Sequence, residues 1–216
     1  MTIVAVVRPG WTDFDEQHRL IGSLDLPLNV RGKSQIPGIV ARLKSLPKLP
    51  DAVLCGTAEL VNRTAVAIAE AFDVSIRETD ELLNLNQGLW QSSTIEEIEH
   101  RMSRTFRQWQ EAPETICPPE GELWEDAVER VRHALKKPLR KFESLVIVAS
   151  EPLATLVSSF LTGEPPDLAE AFPDEPRDPL IEVFETSGRD LQFTRISESP
   201  ETRRSLESLT PLPETK

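Results

Sequence analysis

Two uninterrupted apolar runs constrain this chain most: residues 3–7 in "TIVAVVRPG" and residues 145–148 in "SLVIVASEP". A strand with one wet face alternates apolar and polar side chains, whereas an unbroken β-branched run is covered on both faces. Between the two runs lie segments with helical spacing, so the covering layers are helices and the sheet is mostly parallel. The first run ends in Arg8, Pro9 and Gly10, a turn at the carboxyl end of its strand. In open α/β sheets that is where ligands bind.

The remaining pieces follow in order. "VRGKSQIPGIVARLKSL" has helical spacing at Ile36, Ile39, Val40 and Leu43, with Pro37 expected in its first turn, where a missing N–H costs least. "DAVLCG" reads as a short strand, and "TAELVNRTAVAIAEAF" as a helix capped by Thr57. "VSIRETDELL" is a third strand and its exit. Thr94 and Glu97 form a capping-box pattern ahead of "IEEIEHRMSRTFRQWQ". "LWEDAVERVRHALKKPLRKF" reads as one amphipathic helix, and "LATLVSSFLTG" as another that stops at Gly163. "LIEVFET" and "LQFTRIS", joined by "SGRD", read as a hairpin. The expectation is a three-layer α/β/α sandwich with a mostly parallel sheet and an antiparallel C-terminal hairpin. It forms a single domain over residues 1–197, followed by a polar tail over 198–216.

A net charge of −12 over 216 residues excludes the basic footprint that nucleic acid or an anionic membrane surface requires. Cys55 and Cys117 give neither a disulfide framework nor metal-ligand spacing, and are read as reduced thiols. The start of the chain reads as a strand rather than a signal peptide, and a cytoplasmic location is expected. Asp13, Asp15 and Glu16 are read as a solvated, helix-capping cluster rather than a metal site. Trp90 and Trp124 are read as packing residues near the cleft. No cofactor is expected. The partner is a small molecule or a protein, with a homodimer left open.

The order of motifs resembles the histidine phosphatase superfamily, the phosphoglycerate mutase-like proteins. The similarity is carried by "VAVVRPGWTDFDEQHRLIGSLDLPLNVRGKSQ", "CGTAELVNRTAVAIAEAF", "LLNLNQGLWQSSTIEEIE", "PPEGELWEDAVERV" and "VIVASEPLATLV", from residue 3 to about residue 165. The resemblance implies a neutral histidine after the first strand that attacks phosphorus. It further implies two arginines and a second histidine around the phosphoryl oxygens, and a glutamate as acid or base.

Carried over residue by residue, Arg8 matches the first arginine, while Pro9 stands in the nucleophile's place. The second arginine falls on Leu60, with Arg63 three residues further along the helix. The acid/base glutamate falls on Asn84, the second histidine on Ser150, and the glycine after it on Glu151. His18, His100 and His133, the three histidines of the chain, lie elsewhere.

Each residue has a plainer reading beside the functional one. Arg8 either forms a structural ion pair with Glu151 across neighbouring strand ends, which is the first choice, or holds an anion. Arg8, Arg63, Cys55 and Glu151 are the ligand-site candidates. Cys55 as a nucleophile lacks the Cys-x5-Arg spacing of a phosphate loop, and is read as a half-buried small residue. Ser150 is read as the cap of the helix that follows it. The functional expectation is a catalytically inactive member acting as a binding or interaction module, more a non-enzyme than an enzyme. The alternative is a hydrolase or other enzyme of altered chemistry on the same cleft.

Overall fold

The computed structural model describes residues 1–168, 181–186 and 192–196. Along the chain run β1 (Thr2–Val7), α1 (Asp13–Glu16), α2 (Val30–Lys44), β2 (Ala52–Cys55), α3 (Glu59–Phe72) and β3 (Ser75–Glu78). Then come α4 (Ile95–Glu111), α5 (Trp124–Lys136), α6 (Pro138–Lys141), β4 (Ser144–Val148), α7 (Leu153–Thr162), β5 (Ile181–Thr186) and β6 (Thr194–Ile196). The strands form one sheet in the order β3-β2-β4-β1-β5-β6. β3, β2, β4 and β1 are mutually parallel, while β5 is antiparallel to both β1 and β6.

The two apolar runs are the central strands, and their alternate residues enter different cores. Val4, Val6, Leu145 and Ile147 pack beneath α5 and α7, against Val131, Leu135, Leu156 and Val157. Ile3, Ala5, Val7, Val146 and Val148 pack against Ile39 and Leu43 of α2 and Ala65 and Ile68 of α3. Helices therefore cover both faces, the arrangement an unbroken apolar strand demands. A third, smaller cluster joins α4 to the loops: Trp90 meets Trp109 edge-on at 5.6 Å, with Phe106, Ile98 and Leu20 around them. Trp124 belongs to the core under α5. The three-layer architecture and the antiparallel C-terminal strands are as the sequence pattern implies. The hairpin's turn, the proline-rich segment over 169–180 and the tail over 198–216 lie outside the described residues.

Local chemistry departs from the expectation in three places. Asn29 caps α2 by accepting the N–H of Gly32 at 2.8 Å, so the helix starts earlier than its apolar stripe and Pro37 lies in its interior. The proline there forgoes one helical hydrogen bond. Thr57 does not cap α3, because its hydroxyl donates to Asp80 at 2.7 Å; Asp25 accepts the N–H of Glu59 at 2.6 Å instead. The helix after Leu123 is two pieces, α5 and α6, divided at Lys137 before Pro138. The capping box at Thr94 and Glu97 forms, with reciprocal bonds of 3.1 and 3.0 Å, and Gly163 ends α7 with a left-handed φ of 74°.

Candidate functional site

The parallel register sets Val7, Cys55 and Val148 level at the carboxyl ends of β1, β2 and β4. The residues that leave these ends meet in one place. The N–H of Ala149 donates to the carbonyl of Val7 at 3.0 Å, so the β1 and β4 exits, Arg8–Pro9 and Ser150–Glu151, run side by side.

Arg8 is committed to two carboxylates. Its Nε–H donates to Oε1 of Glu151 at 2.7 Å, its Nη2 lies 2.6 Å from the same oxygen, and its Nη1 donates to Oε2 of Glu182. Glu151 comes from the turn after β4, and Glu182 from β5, opposite Val6. Their remaining capacity is also used. Oε2 of Glu151 accepts from the N–H and hydroxyl of Thr155, at 3.1 and 2.8 Å. Glu182 accepts from Ser158 at 3.0 Å and pairs with Arg195 of β6 at 2.7 Å. The side chains of Arg8, Glu151 and Glu182 are only 13, 12 and 9 % exposed. Burial acts to lower the pKa of the Arg8 guanidinium, but the two carboxylates more than offset it and the net shift is upward. The cluster is thus a fixed charge group, Glu151–Arg8–Glu182–Arg195, alternating in sign across the β4, β1, β5 and β6 end of the sheet.

Around it the other family positions have settled into structural tasks. Pro9 is buried. Gly10 donates its N–H to Thr64 at 3.2 Å, and a Cβ there would stand 2.3 Å from the Gly32 carbonyl oxygen. Asn84 makes four hydrogen bonds: Nδ2 donates to the carbonyls of Gly22 and Glu151 at 2.9 and 2.8 Å, and Oδ1 accepts from Leu85 and Leu153 at 2.9 and 3.2 Å. It ties three loops together at the mouth. Leu60 is buried among the apolar residues beneath α2 and α3.

Several sequence readings need correction. Ser150 is not the cap of α7: its Oγ is buried and without a hydrogen-bond partner, while Asn84 and Glu151 accept the helix's first N–H groups. Arg63 does not lean toward the cluster; it is 69 % exposed and lies 3.6 Å from Glu59 on its own helix. Cys55 is fully buried rather than half-buried, and burial, with a smaller contribution from Glu78, pushes its thiol pKa up to about 12. A thiol so rarely ionised is no nucleophile. Asp15 serves the α1 capping box with Thr12, at 2.6 Å to its N–H and 2.8 Å to its hydroxyl. Among the described residues no group of three or more His, Cys, Asp or Glu side chains is placed to hold a metal ion, and no helix is long and apolar enough to cross a membrane.

The structure thus brings together Arg8 and Glu151, leaves Ser150 adjacent, and removes Arg63 and Cys55. It adds Glu182, Arg195, Thr155 and Ser158, which the sequence reading did not single out. Glu182 had one visible signal: a carboxylate within "IEVFET", a segment otherwise fit for the sheet interior, needs a buried cation.

Proteins of known sequence place this geometry in context. Phosphoserine phosphatase 1 of Hydrogenobacter thermophilus is 26% identical over 151 residues, covering 69% of this chain and 71% of its own length. A probable phosphoglycerate mutase of Escherichia coli is 28% identical over 136 residues, which are 63% of this chain and 62% of that protein. A bifunctional protein of Mycobacterium tuberculosis is 29% identical over 164 residues, and this chain spans only 42% of its length. Among solved structures, mycobacterial glucosyl-3-phosphoglycerate phosphatase superposes with a TM-score of 0.78 at 20% identity, over 92% of this chain and 99% of that one. These relatives correct the expectation of a non-enzyme, since those named by activity are phosphatases and mutases. The description "Histidine phosphatase superfamily (branch 1)" matches residues 4–195, and the chain belongs to that family.

Proposed function

We propose that the chain is a hydrolase of altered chemistry on the family's cleft, acting on phosphomonoesters of small molecules. The observation that carries this reading is the contact between Arg8 and Glu151 at the adjoining ends of β1 and β4. The names of the relatives support the substrate class. With Pro9 where the resemblance puts the nucleophile, water supplies the attacking oxygen. Glu151 takes a proton from that water as its oxygen bonds to phosphorus and the P–O bond to the alcohol breaks; the departing oxygen is protonated from solvent. Arg8, released from Glu151 on one edge and still held by Glu182 on the other, faces the phosphoryl oxygens as charge develops on them. Two cysteines without disulfide spacing support a cytoplasmic setting.

The test is phosphate release from a panel of phosphomonoesters by the wild-type chain, Arg8→Ala and Glu151→Gln. The expected outcome is measurable turnover that falls about 10²-fold or more in Glu151→Gln, the usual range for loss of a general base. Turnover equal in all three proteins would overturn the reading.

A further inference from the structure

The strand-end cluster leaves open which group recognises the substrate, since the Arg8 charge is already balanced by two carboxylates. A second guanidinium stands at the same end of the sheet. Arg31 lies over the ring of Trp11, 4.3 Å from its centroid, and among the described residues no carboxylate is paired with it.

Its position relative to β1 is fixed by backbone contact. Gly10 and Gly32 meet so closely that a Cβ on Gly10 would stand 2.3 Å from the Gly32 oxygen, and one on Gly32 would stand 2.1 Å from the Trp11 oxygen. The N–H of Asn29 donates to the Trp11 carbonyl at 2.9 Å, and Trp11 donates its own N–H to Gln35 at 3.1 Å. Asn29 also donates from Nδ2 to the Thr12 carbonyl at 3.1 Å. The first turn of α2 is therefore locked to the segment leaving β1, with Arg31 in that turn. With its guanidinium carbon over the ring and no carboxylate paired with it among the described residues, Arg31 has N–H groups to offer a planar acceptor, and the ring limits the rotamers that must be frozen on binding.

We infer that Arg31, held on Trp11, is a specificity residue that binds a second anionic group of the substrate, a carboxylate or a further phosphate, beyond the ester being hydrolysed. Trp11 follows Arg8 by three residues, roughly 10 Å of chain at full extension, so the substrate is a small bis-anionic metabolite. Arg63, by contrast, is 69 % exposed and faces Glu59 on its own helix.

This inference rests on the hydrolase reading but is testable apart from it. Trp90 and Trp109 are 1 % exposed and Trp124 is 8 % exposed, which leaves Trp11 as the tryptophan open to a ligand-dependent fluorescence change. The probes are glycerol 3-phosphate and 3-phosphoglycerate, which differ by a carboxylate, titrated at low ionic strength into the wild-type chain, Arg31→Ala, Arg31→Lys and Arg63→Ala. The expected result is that 3-phosphoglycerate binds about tenfold more tightly than glycerol 3-phosphate, as one charge-assisted pair allows. That preference disappears in Arg31→Ala, is only partly kept in Arg31→Lys, and persists in Arg63→Ala. Equal affinity of the wild-type chain for both probes, or an unchanged preference in Arg31→Ala, would overturn it. A preference that depends on Arg31, with no phosphate released from any member of the phosphomonoester panel, would support Arg31 as the recognising group and remove the hydrolase reading alone.

Discussion

The Nε–H of Arg8 meets Oε1 of Glu151 at 2.7 Å across the β1–β4 boundary, so the cation nearest the family's phosphoryl site is also the one most fully neutralised. This pairing sets binding against catalysis. Two like charges near each other repel by about 4 kcal/mol at 4 Å in an effective dielectric of 20. A phosphate dianion therefore approaches Arg8 against the charge of Glu151, although Glu151 is the base that the reaction needs. In Glu151→Gln, inorganic phosphate should bind about tenfold more tightly while kcat falls about 10²-fold. Calorimetry and steady-state kinetics on the same preparation check the split. Weaker phosphate binding in the variant would show that Glu151 helps to hold the ligand.

Glu182 has a different part, because it faces Arg8 from β5 and pins β6 through Arg195. Removing it leaves two guanidiniums around an emptied buried position. Glu182→Ala should lower unfolding stability by about 3 kcal/mol, as loss of one partner of a buried pair does, whereas Arg195→Ala, at 55 % side-chain exposure, should cost little. Denaturant titration distinguishes them. Equal effects would mean that β6, rather than the charge on Arg8, is what Glu182 secures.

What could be read from the sequence follows the range of each interaction. β1 and β4 were legible because burial on both faces writes an unbroken apolar run, and the Thr94–Glu97 box because a cap spans three residues. The start of α2 was not, since Asn29 and Gly32 set it before the apolar stripe begins, and this left Pro37 misplaced in its first turn. The Arg8–Glu151 pair was legible through the resemblance, which puts both at neighbouring strand ends. Glu182 was not, as it lies 174 residues from Arg8 and meets it only through the placement of β5 beside β1. Asn84 looked like a vacated acid/base position; its four bonds to three loops appear only once the loops are assembled.

Cys55 makes the fold sensitive to alkali. Burial holds its thiol at about 12, against an ordinary value of 9.0. Below pH 9 both folded and unfolded chains carry the neutral thiol, and Cys55 adds no pH dependence. Above it the unfolded chain ionises first, so stability falls as pH rises, by about 1.4 kcal/mol per unit, until the folded thiol titrates near 12. Comparing Cys55→Ala with the wild-type chain between pH 8 and about 10.5 isolates this slope from other groups. In the native protein at pH 8 only Cys117 should react with a thiol reagent, as it is exposed and Cys55 is buried. Rapid labelling of both thiols would contradict the burial of Cys55.

Pro9→His tests whether the cleft still holds a latent histidine route. An imidazole at this position would emerge between Arg8, whose edges face Glu151 and Glu182, and Gly10, which is pressed against the Gly32 backbone. Asn84 has no free hydrogen-bonding capacity to orient the ring or protonate a leaving oxygen. Groups that act as a unit return little when one is restored alone. Even the wider change, Pro9→His with Leu60→Arg, Asn84→Glu, Ser150→His and Glu151→Gly, works against the structure. Leu60 is 2 % exposed in an apolar cluster, where an arginine would be buried without a partner, and Asn84→Glu would break the tie between three loops. Neither variant should trap a phosphohistidine in a rapid-quench experiment with labelled substrate, and wild-type turnover should proceed without one. Label on the introduced histidine of the single variant would show that Arg8 can leave both carboxylates at little cost, and the fixed-charge description of this cluster would have to be given up.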